Sequence, residues 1–394
     1  MKTGIYGGAF DPPHVGHLDN VKTVCATLGL DRLIVIPSAV SPHKPRSPLS
    51  PPPEERLKLC QMAFENIPSV EVSDIEILSS EVSYTYVTLT KLKELWPEDE
   101  FSFIMGSDML FSFARWRKPD VIASIAEIVY LNRGSDEAEL KACEDMLKEK
   151  LGAKVTRVDN VHIDISSSRL RKLIPLGCSF SWLPEDVFER IMEQGYYDSR
   201  PDPSSEESVL AWSLRRVSPK RGEHIKGCVE IAVELAERYG ADPRSAYLAA
   251  ALHDVTKEAR GREQLQLCKK YGIMPDAVQS ETPHLLHAQT GAAVAKELLD
   301  MSDEVCSAIA NHTTGRPHMS LLDKIICLAD YIEPTRAFEG VDSIRQLAKI
   351  DLDAALLASL KSTISHLKKS GESIHPLTEE TIKWLESMGK DKKN

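Results

Sequence analysis

The pattern of hydrophobic residues changes character at about residue 200, and that change limits the possible folds more than any other feature of the chain. Over residues 1–158, β-branched apolar runs alternate with helical patterns, the arrangement of a parallel sheet covered by helices on both faces. From Val209 onward there is almost no strand pattern. Ala- and Leu-rich stretches with a period of about 3.6 residues follow one another, and Gly240, Gly272, Pro283, Gly315 and Gly340 punctuate them. Between the two regimes, residues 198–207 are rich in Pro, Ser and charge and have no apolar period. The sequence therefore predicts an α/β domain over 1–198, a linker over 199–208 and an all-α domain over 209–394. A chain of 394 residues supplies ample material for two cores.

In the first half, periodicity predicts strands at 2–6, 32–36, 70–73, 101–105, 128–131 and 154–158, and helices at 15–28, 54–64, 85–95, 119–126 and 137–150. In doubly wound sheets ligands bind at the carboxyl ends of the strands, so the loops that follow them should hold the chemistry. The first loop is the most telling. Gly4-Ile5-Tyr6-Gly7-Gly8-Ala9-Phe10-Asp11-Pro12-Pro13-His14-Val15-Gly16-His17 runs from a strand, through a Gly-Gly turn where backbone can approach a ligand, into a helix. The free N–H groups of a helix start favour an anion by roughly 0.3–1 kcal/mol. His14 and His17, three apart, project from one face of the first turn. The stretch reads as a phosphate cradle; zinc would need a third ligand, and only His43 is near in sequence.

Other loops add polar groups. The Pro-rich loop 37–53 holds Lys44, a point charge for phosphate, and Gly106-Ser107-Asp108 follows the fourth strand with Phe111 and Trp116 beyond it. Ile165-Ser166-Ser167-Ser168-Arg169-Leu170-Arg171 opens a helix whose hydroxyls, N–H groups and forked guanidinium suit an anion. The Gly-Gly-x-Phe-Asp-Pro-Pro-His-x-Gly-His start resembles the nucleotidylyltransferase superfamily. Taken with Pro42-His43-Lys44, Ser83-Tyr84-Thr85, Gly106-Ser107-Asp108, Trp116 and the Ile-Ser-Ser-Ser-x-Leu-Arg end, residues 1–197 resemble the bacterial nicotinate-nucleotide adenylyltransferases. Ser168 departs from that family, which usually has Thr, and Gly134 follows Arg133 where Pro is frequent.

The resemblance implies a Rossmann-like parallel sheet of nucleotidylyltransferase type. It implies transfer of AMP from ATP, with Mg²⁺, to nicotinate mononucleotide, giving deamido-NAD and pyrophosphate. Such a step needs two anions held in line and the developing charge neutralised, and no protein nucleophile. The resemblance assigns His14, His17, Lys44, Ser167, Ser168 and Arg171, with the backbone of Gly8 and Phe10, to the ATP phosphates. It assigns Trp116 to stacking on the pyridine ring, places Thr85 and Asp108 close by, and gives Arg133 to ring or phosphate.

In the second half the neighbours of the histidines matter more than their number. His224 opens a helix, His253-Asp254 ends an Ala-rich one, His287 starts another, His312 ends the next, and Asp330 lies in Leu328-Ala329-Asp330-Tyr331. Neutral imidazoles and carboxylates gathered from several helices suit Zn²⁺, Fe²⁺ or Mn²⁺, and a carboxylate amid such a set can bridge two ions. Leu252-His253-Asp254-x-x-Lys257 resembles the HD-superfamily phosphohydrolases. With His287-Ala288-x-x-Gly291, His312-Thr313-Thr314-Gly315-Arg316-Pro317 and Leu328-Ala329-Asp330-Tyr331-Ile332-Glu333-Pro334, residues 221–337 resemble the bacterial branch that splits dinucleoside tetraphosphates symmetrically. His318 departs, since that family usually has Gly there. The resemblance implies an all-α HD-type domain holding one or two divalent metals. His224, His253, Asp254 and Asp330 would hold one ion, and Asp254, His287 and His312 the other. Lys257 and Arg316 would meet phosphates while the ion pair activates water for hydrolysis of a substrate such as diadenosine tetraphosphate.

Composition narrows the partners. Hydrophobic content of 42% and charged content of 27% suit a soluble protein, and a net charge of -11 argues against a long basic face for nucleic acid. Polyanionic nucleotides must then be met by local Lys and Arg, helix ends and metal ions. The eight cysteines form no Cys-x-x-Cys pair, and no apolar run approaches the roughly 20 residues of a membrane span. The expectation is a cytoplasmic, bifunctional enzyme acting on small nucleotides, with neither nucleic acid nor membrane as a partner. Two alternatives are a helical half that senses nucleotides without cleaving them, and a transferase that uses nicotinamide mononucleotide. A sensor would need no activated water and could lose His253 or Asp254 freely.

Overall fold

The β-branched and aromatic runs of the first half form six strands, β1 (Lys2–Gly8), β2 (Arg32–Pro37), β3 (Val70–Val72), β4 (Glu100–Gly106), β5 (Ala126–Leu131) and β6 (Val155–Val158). In this computed structural model, which describes residues 1–40, 47–79, 82–132, 134–160 and 163–391, the strands pair in parallel in the order β3-β2-β1-β4-β5-β6. Parallel neighbours require crossovers, and helices supply them: α1 (Val15–Leu28), α2 (Pro53–Phe64), α3 (Thr85–Leu95), the short α4 (Ser107–Leu110), α5 (Pro119–Ile125) and α6 (Glu137–Leu151). After β6 come α7 (Ser167–Leu173) and α8 (Glu185–Gln194). Ile5 lies opposite Ile34 on one side and Phe103 on the other, and Phe103 lies opposite Ile128, so one row of buried side chains crosses the sheet into the core.

Strand order reverses between β1 and β4, which opens a crevice at their carboxyl ends. Here the structure corrects the sequence reading. Gly7 and Gly8 are not a turn: they continue β1 and pair with Ile36 and Pro37 of β2. The chain turns afterwards, at Phe10, whose φ of +45° is left-handed.

The chain separates into two units, Met1–Ile174 with Ser181–Tyr197, and Pro175–Phe180 with Asp198–Asn394. The second unit is helical: α9 (Glu206–Leu214), α10 (Pro219–Tyr239), α11 (Pro243–Leu252), α12 (Gly261–Tyr271), α13 (Ala277–Glu281), α14 (His287–Leu299), α15 (Asp303–Asn311), α16 (Leu321–Ile332), α17 (Val341–Ala348), α18 (Leu352–Ser370) and α19 (Pro376–Asp391). Helix α9 begins inside the stretch expected to be linker, because Ser205 caps it by accepting from the Ser208 N–H. Residues Pro175–Phe180 group with this unit, where the Tyr271 hydroxyl donates to the Leu176 carbonyl at 2.8 Å. Helix α11 is central. Its Ala246, Ala249, Ala250 and Ala251 are fully buried, and their small side chains let α10, α15 and α16 pack closely around it. Among the described residues no helix is long and apolar enough to cross a membrane.

Candidate functional site

The first site forms where β1 runs into α1. His14 is the N-cap of α1, in extended backbone, and its N–H donates to Nδ1 of His17 at 3.2 Å. The two rings stack with centroids 3.7 Å apart. Phe10 is buried with its ring edge-on to His17 and to Tyr6; a Cβ at Gly8 would sit 3.1 Å from that ring, so glycine lets it lie against the strand end. The turn is fastened from several directions. Buried Arg56 donates to the carbonyls of Ala9 at 2.6 Å, Ser38 at 2.6 Å and Ala39 at 3.1 Å. Asp11 accepts from the hydroxyls of Ser50 at 2.7 Å and Tyr197 at 2.9 Å.

The start of α7 reaches the same turn. The Ser167 hydroxyl donates to the Pro12 carbonyl at 3.0 Å, and Arg171 donates to the Asp11 carbonyl at 2.8 Å and to the Ser168 hydroxyl at 3.2 Å. The two ends of the predicted phosphate set, 155 residues and more apart in sequence, are therefore brought together.

A cavity of about 240 Å³ lies at the carboxyl ends of β1 and β4. Gly8, Phe10 and His17 line it together with Thr85, Asp108 and Trp116. Trp116 donates from its indole N–H to Ser112 at 3.2 Å and packs on Phe103 and Phe113, which leaves the ring half-buried. Glu76, which sequence reasoning missed, also lines the wall; burial raises its pKa, while its carboxylate accepts from the Thr88 hydroxyl at 2.6 Å. Lys44 and Arg133 lie outside the described residues.

The second site gathers the ends of several helices. His224 lies in α10, His253 at the end of α11 with Asp254 following, His287 at the start of α14, His312 at the end of α15, and Asp330 in the last turn of α16. Five of these six side chains, His224, His253, Asp254, His287 and His312, are buried, and Asp330 is half-buried. Three of the histidines use one device: Nδ1 of His253, His287 and His312 faces the carbonyl three residues back, that of Ala250 at 2.7 Å, His284 at 2.6 Å and Ile309 at 2.7 Å. A carbonyl only accepts, so each Nδ1 carries the proton and each Nε2 is bare. His224 reaches the same state through Glu333, whose carboxylate receives Nδ1–H at 3.0 Å and is itself held by Thr335.

The bare nitrogens converge in two pairs. Nε2 of His224 and His253 are 3.3 Å apart, and Nε2 of His287 and His312 are 3.1 Å apart. Asp254 stands between them. Its Oδ2 lies 3.7 Å from His224 and 3.6 Å from His253, its Oδ1 3.3 Å from His287 and 3.9 Å from His312, and Asp330 adds an oxygen 3.1 Å from His224. Lone pairs converging at such distances repel unless a cation sits among them, and the donors suit a divalent metal: ligand atoms of His224, Cys228, His253 and Asp330, and those of His253, Asp254 and His312, lie close enough together to hold an ion.

The charge states of His287 and His312 agree with ligand chemistry. Burial holds His287 well below the usual imidazole range and brings His312 down to about 4, so both are neutral. Against the effect of burial, the positive charge around them, Lys257 beside Asp254 and His224 and Arg336 beside Asp330, keeps both carboxyls below the usual range. His224 differs: burial is outweighed by Asp330 and Glu333, which raise it, so that its Nε2 must lose a proton to a cation before it can serve as a ligand.

Cations also crowd the site. Lys257 Nζ is 3.1 Å from His287 Nε2, and Arg221 donates to Asp254 Oδ2 at 2.8 Å. Arg316 is held in a fork by buried Asp323 and by Ser307. Arg221, Cys228 and Glu333 were missed by sequence reasoning, although Arg221 and Cys228 stand one turn either side of His224 on the same helix, a spacing that could have marked them. Cys228 Sγ is 3.5 Å and 3.8 Å from the two His224 nitrogens, so it lies against the ring face.

Comparison with known proteins divides along the same line. A family profile described as cytidylyltransferase-like matches residues 5–173, and one described as HD domain matches residues 221–335. A symmetrical bis(5'-nucleosyl)-tetraphosphatase of Bacillus subtilis is 41% identical over 182 residues, 46% of this chain and 97% of that protein. A protein of Fusobacterium nucleatum described as "Probable nicotinate-nucleotide adenylyltransferase" is 33% identical over 199 residues, 50% of this chain and 100% of the relative. One similarity spans both halves: a Mycoplasma pneumoniae protein described as "Probable nicotinate-nucleotide adenylyltransferase/Ap4A hydrolase" is 28% identical over 367 residues, 91% of this chain and 97% of its own length.

Proposed function

The chain belongs to the nicotinate-nucleotide adenylyltransferases in its first half and to the HD-domain symmetrical bis(5'-nucleosyl)-tetraphosphatases in its second, and on that premise we propose that it is a bifunctional enzyme. Residues 1–198 transfer AMP from Mg²⁺-bound ATP to nicotinate mononucleotide. The helical unit from Asp198 onward hydrolyses dinucleoside tetraphosphates such as diadenosine tetraphosphate to two nucleoside diphosphates. The observation that carries this reading is Asp254, with one oxygen turned to each of two pairs of bare imidazole nitrogens.

In the transferase site, His14, His17, Ser167, Ser168 and Arg171 hold ATP phosphates around the Asp11–Pro12 turn, with the Gly8 and Phe10 backbone facing them. Lys44 contributes a further charge. Because Nδ1 of His17 accepts from His14, the His17 proton resides on Nε2, which makes it a donor toward the cavity it lines. Trp116 stacks on the pyridine ring, Thr85 and Asp108 flank it, and Arg133 serves ring or phosphate. Trp116→Ala is expected to raise KM for the pyridine mononucleotide roughly tenfold or more, the effect of about 1–3 kcal/mol of stacking, while KM for ATP changes little. Steady-state kinetics with each substrate varied in turn checks this.

In the hydrolase site, His224, His253, Asp254 and Asp330 would hold one divalent ion and Asp254, His287 and His312 the other, with Zn²⁺, Fe²⁺ or Mn²⁺ as candidates. Bound there, such a pair supplies an activated water and neutralises charge on the attacked phosphate. The protein fixes the donors: backbone carbonyls and Glu333 set every tautomer. Lys257 and Arg221 bring positive charge for phosphate oxygens, and Arg316, anchored by Asp323, offers its remaining Nη1.

Gly227 is needed for this arrangement, since a Cβ there would lie 2.6 Å from Glu333 Oε2. Gly227→Ala is expected to displace Glu333, free the His224 ring and weaken metal binding by about 10- to 100-fold, measured by competition with a chelating dye. The reading as a whole is tested by stripping tightly bound metal, removing the chelator and assaying both reactions in Mg²⁺. Hydrolysis should be lost until Mn²⁺, Fe²⁺ or Zn²⁺ is restored, and adenylyl transfer should be unchanged. Tight binding of the dinucleotide without turnover under any metal would instead favour the sensing alternative.

A further inference from the structure

The turn between α16 and α17 is built more rigidly than a connection requires. Arg345, on α17, donates to the carbonyls of Ile332, Glu333 and Arg336, each at 2.8 Å, and so fixes the path of residues 332–336. Glu333 within it is fully buried and holds His224. Arg336 folds back on the cluster, donating to Oδ1 of Asp330 at 2.8 Å and to its carbonyl at 3.0 Å, yet its side chain remains 37% exposed. Two residues on, Phe338 is 39% exposed and meets Tyr331 edge-to-face with centroids 4.9 Å apart. Tyr331 directly follows Asp330.

A guanidinium beside a proposed metal donor and an aromatic pair, half-buried Tyr331 at the end of α16 and exposed Phe338, flank one short, pinned loop. Arg336 and Phe338 are two residues apart, so their Cα atoms are separated by at most about 7 Å, and one nucleotide can meet both side chains. Arg345 and Glu333 are accounted for by the path of the turn, while the Phe338 ring, two residues from Arg336, presents an apolar face to water. A nucleotide presents the matching chemistry: an anionic oxygen for the fork of Arg336 and a flat π-face for the ring.

We propose that residues 331–338 form a nucleoside subsite of the helical unit, with Arg336 taking a phosphate oxygen beside the His224–Asp330 position and the Tyr331–Phe338 pair receiving the base. The subsite rests on the hydrolase reading and adds to it the element that distinguishes a nucleotide from bare polyphosphate. Arg336 releases Asp330 as metal and phosphate arrive, exchanging one anionic partner for another.

The test uses the full chain loaded with Mn²⁺ and isothermal titration with ADP and, separately, with pyrophosphate. Phe338→Ala is expected to weaken ADP binding about tenfold and pyrophosphate binding by no more than about twofold, and Phe338→Tyr to restore ADP binding. Being exposed, Phe338 can be removed without opening the core, and an unchanged melting temperature checks that. KM for diadenosine tetraphosphate should rise in parallel with the ADP dissociation constant. Equal loss for both ligands, or no loss for ADP, overturns the subsite. Failure of the wild-type chain to hydrolyse the dinucleotide, with ADP binding still dependent on Phe338, overturns the hydrolase reading alone and leaves the subsite standing.

Discussion

Asp254→Asn is expected to lower hydrolysis of diadenosine tetraphosphate by about a thousandfold or more and to leave adenylyl transfer at the wild-type rate. The size follows from the position of the carboxylate. Each of its oxygens faces a different pair of bare imidazole nitrogens, so an amide, neutral and with a donor in place of one acceptor, removes charge from both ion positions at once. Losing the activation of water and the neutralisation of phosphate charge together costs several kcal/mol of barrier, and each 1.4 kcal/mol or so is a factor of ten. The substituted chain should also retain fewer metal ions after gel filtration, measured by elemental analysis. An Asp254→Asn chain that hydrolyses normally would remove the basis for the two-ion site.

His17→Ala should have the converse effect, slowing adenylyl transfer by about 10²- to 10³-fold with hydrolysis unchanged. His17 lines the cavity with Nε2–H as a donor, its tautomer fixed by the His14 N–H, and its ring is clamped between His14 and Phe10. A donor held in this way stabilises charge that develops during transfer without reorganising, which is why deletion should lower kcat more than it raises KM for ATP. Loss of both activities in either variant, with the fold intact by circular dichroism, would mean that the two chemistries are not divided between the units.

Much of this was legible in the chain. The periodicity located all six strands and the longer helices between them, though not the one-turn α4, because a parallel sheet buries continuous β-branched runs and its crossovers carry a 3.6-residue stripe. The candidate metal donors were picked out by the resemblance of Leu252-His253-Asp254-x-x-Lys257 and its companion motifs to the HD superfamily, and the fold brings those side chains close to one another. What was not legible depends on pairings across long separations. Arg56 fastens Ala9 from 47 residues away, and Glu333 orients His224 from 109 residues away. Neither partner is implied by local spacing. The Gly7-Gly8 pair reads as a turn locally and is held in β1 only by its register with Ile36 and Pro37. The carbonyls that fix His253, His287 and His312 belong to the backbone and leave no trace in residue identity.

The most direct measurement is chromatography of the products formed by one preparation of the chain, offered nicotinate mononucleotide with Mg²⁺-ATP in one vessel and diadenosine tetraphosphate with Mn²⁺ in another. The account predicts deamido-NAD and pyrophosphate from the first and ADP as the sole nucleotide from the second. ATP and AMP from the second vessel, or a first vessel that yields dinucleotide only when nicotinamide mononucleotide replaces the acid, would contradict it.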